Sequence, residues 1–389
     1  MKKWTSGLLA LLLTLTICAG CGQEPQQPAG IYYDITGIDP SEIVLTADGN
    51  EIPAELYLYW IAYACSNTEY QINMLNSYYG LYGELLDENG QLVWDGELTD
   101  GQTLSQQVKA DGENSALFYA AVENMAAEMD VALSDEDEAA RKKALDQKIE
   151  QYGGREEFEK NLERMGISQD SYDRIDRDNY LFERLQDLVL DPDSGIHTEF
   201  DGSAYVDHIL LMTVDPETNQ PLSDEEIAEK RAQAEDLLSQ LRAAATNPEP
   251  LFTQLADEYG EDPGRAAETG YLMDENTSFV QEFKDKALAL EVGQISDVVK
   301  SDYGYHIILR KALTDEQKAS LAGDHLSQLL QERMDKAEIV RSDKLAEIDA
   351  GSFYTSYNAK IEELTAADQA EDGGADGNGA DASGSGENQ

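Results

Sequence analysis

Cysteine is almost missing from this chain: among 389 residues there are three, Cys18, Cys21 and Cys65. Two of them lie at the extreme N-terminus, so the body of the protein holds only Cys65, which excludes a disulfide framework and a CxxC metal site. Basic residues are scarce as well. Lys and Arg number 28 against 78 Asp and Glu, a formal net charge of −50. Such a chain repels nucleic-acid phosphates and has no basic patch to displace their counterions, and anionic headgroups would not attract it by charge. The acidic side chains are spread along the whole sequence and read as a solvated surface, in preference to a Ca²⁺ site or a device for attracting cationic clients. Long apolar runs are lacking too. The longest, Leu8 to Ile17, is too short to cross a bilayer, and no internal repeat occurs. What remains is an apolar fraction of 41%, enough for packed cores, on a length that suits two or three units.

The short apolar run has the form of a signal-peptide core behind Lys2 and Lys3. It ends in Cys18-Ala19-Gly20-Cys21, which resembles a bacterial lipobox, with Cys18 where leucine is usual. The resemblance implies a signal peptide over 1–20, lipidation of Cys21, a tether over 21–40, and attachment to the extracytoplasmic face of the cell membrane.

From there the pattern is mostly helical. A strand is predicted over Ile43–Ala47, turned by Asp48-Gly49-Asn50, and then a helix entered at Pro53. Its Leu56, Tyr57, Leu58, Trp60, Ile61 and Ala64 cover most of its circumference, so it should be buried. The stretch from Tyr79 to Gln107, rich in Gly, Asp and Glu, reads as a flexible loop. Phe118–Val131 reads as helix, Ser134 with Asp137 and Ser168 as helix caps, and Tyr152-Gly153-Gly154 as the turn of a helix pair. A boundary falls at Asp191-Pro192-Asp193-Ser194-Gly195. After Leu313, Thr314 and Gln317 form a capping box for helix reaching about Leu364. The residues 365–389 have no aromatic or basic side chain and read as a disordered acidic tail.

Between these flanks the pattern changes. Tyr205–Leu211 alternates as a strand that puts His208 on the face of Val206 and Leu210. Ser223 and Glu226 cap a long amphipathic helix, and a shorter one ends at Tyr259-Gly260. The turn Glu261-Asp262-Pro263-Gly264 leads to a short strand near Gly270–Met273. Phe279, Phe283, Ala287 and Leu288 mark another helix. A last hairpin turns at Ser301–Gly304 and returns through Tyr305–Leu309, with His306 in mid-strand. Alone, a histidine on an apolar face is more often a hydrogen-bonded core residue than a catalyst. In order, however, HILL, LADEYGEDPG, FVQEF and VGQISDVVKSDYGYHIIL resemble the parvulin family of peptidyl-prolyl isomerases over about a hundred residues. The segments DGNEIPAELYLYW and YGGREEFEKNLERMGIS resemble the helical N-terminal region of PrsA-type foldase lipoproteins and SurA-like chaperones. One departure is plain: the family's glycine-rich stretch reads here as Ala267-Glu268-Thr269-Gly270-Tyr271-Leu272.

The resemblance implies an α+β fold: a parvulin-like domain over 204–311, a small, mainly antiparallel sheet packed by helices. It is inserted in a mostly α-helical chaperone lobe built from 41–200 and a C-terminal segment over 312–364. It implies catalysis of X-Pro isomerisation through His208, His306 and Asp262, with Ser301 and Tyr303 supplying hydroxyl groups and Phe279 and Phe283 forming the proline cup. No cofactor and no metal is required. The implied partners are unfolded exported polypeptides with X-Pro bonds and the membrane, through the lipid; nucleic acid is excluded and a second copy of the chain stands as a candidate. The absence of basic residues in the loop after the first strand argues against phosphorylated substrates. The rival readings are a non-catalytic holdase that keeps the domain as scaffold and a solute-binding lipoprotein, the latter disfavoured by the helical flanks.

Overall fold

The computed structural model describes residues 29–98, 101–218, 220–244, 247–265 and 270–375. Residues 1–28, where the signal peptide and Cys21 lipidation are expected, and residues 376–389 lie outside that range.

The helical lobe opens with α1 (Ile31–Thr36), a hairpin of β1 (Ile43–Ala47) and β2 (Asn50–Pro53), and α2 (Ala54–Tyr79). Four further helices follow: α3 (Leu104–Glu128), α4 (Asp135–Gln151), α5 (Arg155–Met165) and α6 (Gln169–Leu190). The first half of α2 is apolar nearly all round and is buried nearly all round, from Leu56 to Cys65. Gly112 lets α3 come this close, because a Cβ there would lie 2.8 Å from the Ile61 Cα and 2.9 Å from the Trp60 carbonyl. Reciprocal capping boxes close the N-termini of α3 at Thr103 and of α4 at Ser134, where each N-cap hydroxyl accepts an N–H that the helix cannot satisfy itself.

Three expectations for this lobe are corrected. The supposed tether to residue 40 is partly core: Ile31, Tyr32 and Ile38 are buried, and the Tyr32 hydroxyl donates to the Met165 carbonyl at 2.6 Å. A tyrosine ring against Phe353, at 5.6 Å between centroids, outweighs the polar composition around it. The loop after Tyr79 is folded onto the lobe, with a 3₁₀ turn at Gly83–Leu85, bridges Leu86–Leu92 and Glu97–Thr103, and buried Leu85 and Leu92. Helix α3 correspondingly begins at Leu104, well before Phe118.

The small domain follows: β3 (Ala204–Met212), α7 (Asp224–Ala243), α8 (Glu249–Tyr259), β4 (Tyr271–Met273), α9 (Gln281–Leu288), β5 (Val299–Lys300) and β6 (Gly304–Lys311). Its sheet is antiparallel in the order β4-β3-β6-β5. Strand alternation divides two cores. Ile209, Leu211, Ile307 and Leu309 pack on α7 and α8, whereas Ala204, Val206 and Ile308 pack on Phe283 and Ala287 of α9. His208 and His306 share the second face.

The chain then returns to the first lobe through α10 (Asp315–Met334), β7 (Ile339–Arg341) and α11 (Ala350–Ala375). Strand β7 pairs with β1, and Leu326, Leu330, Phe353 and Tyr354 join the same core as α2 and α3. The fold is thus α+β, a parvulin-like domain interrupting a helical lobe. Helix α11 continues past Leu364 to Ala375, into residues expected to be disordered. Its Arg164–Asp368 ion pair draws that segment onto α5. Among the described residues no helix is long and apolar enough to cross a membrane.

Candidate active site

The register of the two central strands builds the site. His208 lies opposite Ile308 and His306 opposite Leu210, so the imidazoles sit diagonally on one face. Their rings are nearly parallel, 16° apart with centroids at 5.4 Å, and the two Nδ1 atoms are 3.2 Å apart. Both rings are buried. Their outer nitrogens are occupied as well. His208 Nε2 lies 2.7 Å from Asp262 Oδ2, and His306 Nε2 lies 2.7 Å from Ser301 Oγ.

Asp262 is carried by the loop leaving α8, which is tied to β3 at several points. The Glu261 N–H donates to the Leu210 carbonyl at 2.9 Å, and the Met212 N–H donates to the Glu261 carboxylate at 2.7 Å. Arg265 reaches back to Asp207 at 2.9 Å and to Asp257 at 2.6 Å. Its guanidinium is buried with Asp207 on the sheet face opposite the histidines, which fixes the loop from behind. Asp262 itself accepts from the Gly264 N–H at 3.0 Å and from the Tyr271 hydroxyl at 2.6 Å. Gly270 allows β4 to approach here, since a Cβ would fall 2.3 Å from the Val206 carbonyl.

The proton arrangement follows from counting donors and acceptors. With both imidazoles neutral, the Ser301 O–H donates to His306 Nε2, His306 Nδ1–H to His208 Nδ1, and His208 Nε2–H to the Asp262 carboxylate. Every group in the line is then satisfied. The hydrogen bond from His208, followed by those of Tyr271 and Gly264, holds the Asp262 carboxyl well below the usual range against its partial burial. Burial, aided by His208, pushes His306 down to about 3. Burial first, then the Asp262 carboxylate, raises the Tyr271 phenol.

An aromatic wall stands over this line. The Phe283 ring centroid is 5.0 Å from His208 and 5.2 Å from His306, and Phe279 is 5.7 Å from Phe283. Tyr271 closes the other side, 5.4 Å from Phe279 and 5.5 Å from His208. Phe283 is buried and Phe279 partly open. Six of the seven residues expected from the sequence therefore meet through their side chains: His208, His306, Asp262, Ser301, Phe279 and Phe283. Tyr303 takes part through its backbone instead. Its N–H donates to Ser301 Oγ at 3.1 Å, while the side chain is 53% exposed. Tyr271 and Arg265 were not foreseen. Tyr271 carried only the signal of a short strand, and its place opposite Val206 depends on a pairing that no local pattern reveals. Among the described residues no cluster of three or more His, Cys, Asp or Glu is arranged to hold a metal ion.

The comparison with known families bears on this segment directly: residues 194–313 match the PPIC-type PPIASE domain. This chain carries a parvulin-type PPIase domain. It is also homologous to the foldase protein PrsA of Staphylococcus aureus, 29% identical over 217 residues in the bovine RF122 and Newman strains. That alignment takes in 53% of this chain and spans 64% of those relatives' length. Among solved structures, the peptidylprolyl isomerase PrsA of Bacillus cereus aligns at 20% identity with a TM-score of 0.29, over 68% of this chain and 97% of that one. PrsA of Bacillus subtilis aligns at 20% identity with a TM-score of 0.23, over 62% and 89%. Within the PPIase domain the matched boundaries enclose every residue of the site described above.

Proposed function

We infer that this protein is an extracytoplasmic foldase that isomerises X-Pro bonds in exported, unfolded chains, held at the membrane by a lipid on Cys21, with the helical lobe acting as a chaperone. One observation carries the catalytic part: the line Ser301–His306–His208–Asp262, with every polar atom matched, lies directly beneath a phenylalanine wall.

Rotation about an X-Pro bond makes and breaks no σ bond. Its barrier of roughly 18–20 kcal/mol is lost amide resonance. A thousandfold acceleration needs about 4 kcal/mol of preference for the twisted amide. A planar amide carries more negative charge on oxygen than a twisted one. An apolar cup formed by Phe279 and Phe283 therefore favours the twisted form by withdrawing water from the amide. The Asp262 carboxylate, kept ionised, disfavours the planar form whenever the substrate carbonyl faces it. With His208 and Tyr271 already bonded to Oδ2, the carboxylate acts as a fixed charge and not as a nucleophile.

A protease-coupled assay on a proline peptide tests this, with wild type beside His306→Ala. The expected result is turnover by the wild type and a fall of about a hundredfold in the variant. A wild-type rate no greater than the uncatalysed one would overturn the enzyme reading in favour of a holdase using the domain as scaffold. Mass spectrometry of the membrane-extracted protein, with Cys21→Ala as control, tests the anchor.

A further inference from the structure

The second half of α2 departs from the first. Tyr63, Tyr70, Met74 and Tyr78 follow one another at intervals of seven, four and four residues. That spacing aligns them in one stripe about 22 Å long on a single helix face. They are 53%, 68%, 37% and 78% exposed; Tyr79 at the end of the helix, and Leu81 and Tyr82 beyond it, prolong the patch. An exposed row of large apolar side chains on one helix face, interrupted only by Ser66 and Asn67, marks an interaction surface, where scattered ones would not. At its Tyr63 end the stripe meets a groove of about 430 Å³ lined in part by Tyr59, Tyr354 and Tyr357.

Charge selects the occupant. No Lys or Arg occurs between Lys3 and Lys109. Lys109 is turned inward, donating to the Leu345 and Ile348 carbonyls at 2.6 Å each. Arg164, on the wall of the groove, is paired with Asp368. Glu69 lies on the stripe's own helix, held at 3.0 Å by the Tyr354 hydroxyl, and Glu84, Asp87 and Glu88 follow it in sequence. Two copies meeting through this face would set carboxylates against carboxylates. A chain bearing ammonium or guanidinium groups between apolar ones meets tyrosine faces for its cations and carboxylates beside them.

We propose that this stripe is a docking surface for extended polypeptide segments in which Lys or Arg alternates with apolar residues. The inference rests on the foldase reading and adds a client chemistry to its chaperone half. The full-length protein is titrated into a fluorescein-labelled, proline-free peptide of Lys-Val-Gly repeats, and into its Glu-Val-Gly counterpart, with anisotropy as readout. Wild type is expected to bind the lysine peptide alone, and more weakly as salt is raised. The triple change Tyr70→Ser, Met74→Ser, Tyr78→Ser is expected to weaken binding about tenfold, while three conservative changes (Tyr70→Phe, Met74→Leu, Tyr78→Phe) keep it. Because these side chains are exposed, prolyl turnover and the thermal midpoint should be unchanged, which reports an intact fold. His306→Ala should bind the peptide as wild type does, so failure of catalysis and failure of docking are read separately. Equal binding of the two peptides, or wild-type affinity in the triple serine variant, overturns the proposal. So does sedimentation showing a wild-type dimer that the serine variant abolishes, which would make the stripe a self-interface.

Discussion

Two buried polar clusters, one in each part of the molecule, look alike by composition and differ in what they can do. In the helical lobe, Glu123 of α3 receives Arg174 at 2.7 Å, Arg177, and Asn50 at 2.6 Å, while the buried Asp178 of α6 receives Arg177 at 3.0 Å. This cluster ties β2, α3 and α6 together. In the small domain, Asp262 receives His208, Tyr271 and the Gly264 N–H at the edge of an aromatic cluster. The two aspartates are driven in opposite directions. Asp178 is pushed up to about 7 by burial and by the neighbouring Glu123 carboxylate, because it shares one guanidinium with a second acid. Asp262 is held down because its donors are its own. Buried polarity therefore does not distinguish a site from a strut. The distinguishing feature is the set of aromatic rings, Phe279, Phe283 and Tyr271, packed against His208 and His306.

The largest effect is expected at Phe283. Phe283→Ala removes a buried ring from the α9 core and the centre of the aromatic wall, so a loss of roughly 3–5 kcal/mol in urea unfolding is expected, with prolyl turnover reduced to background. Phe283→Leu should recover much of the stability and little of the turnover. An alanine variant with wild-type turnover would show that the Phe283 ring does not hold proline.

The protons of His306 report on the same line of groups. The folded ring titrates near 3, against an ordinary value of 6.5. Its contribution to stability is thus complete above about pH 6.5 and is lost as the pH falls toward 3. The Cε1–H resonance followed by NMR should show no titration of this ring between about pH 5 and 8. An inflection near 6.5 would mean that the line of neutral imidazoles is wrong.

Asp178 should show the reverse sign. Its folded pKa lies above the ordinary aspartate value of 3.8, so the folded chain retains a proton that the unfolded chain releases. Stability falls as pH rises from about 4 to 7 on this account. Asp178→Asn should raise the urea unfolding free energy at neutral pH by roughly 1–3 kcal/mol, with the advantage shrinking toward pH 4. Equal midpoints at all pH values would place the Asp178 carboxyl in a better-matched environment than its single arginine suggests.

The smallest effect is expected from Tyr271→Phe, which keeps the ring against Phe279 and removes one hydrogen bond to Asp262. About 1 kcal/mol, or a few-fold loss in kcat with KM nearly constant, is expected in the coupled assay. A larger change in KM than in kcat would make Tyr271 a substrate contact instead.

Much of the fold was written locally. The caps at Ser134, Ser168, Ser223 and Thr314 appear where the spacing predicts them, because a cap is made within three residues of itself. The strands bearing His208 and His306 were likewise legible from alternation, and the motif order around them identified the domain. What the sequence by itself determined is therefore the set of elements, the faces their side chains take, and the residue types available for chemistry. Tertiary structure alone decided the rest. It placed His208 and His306, 98 residues apart, in contact through the β3–β6 register. It brought Tyr271 to Asp262 through the β4 pairing and Arg265 to the back of the sheet. It buried Ile31, Tyr32 and Ile38 where composition suggested a tether, and folded the segment after Tyr79 against the lobe. The physical reason is common to all of these. Capping and periodicity are satisfied by neighbours along the chain, whereas burial and strand register depend on surfaces that other segments contribute only once the chain has folded.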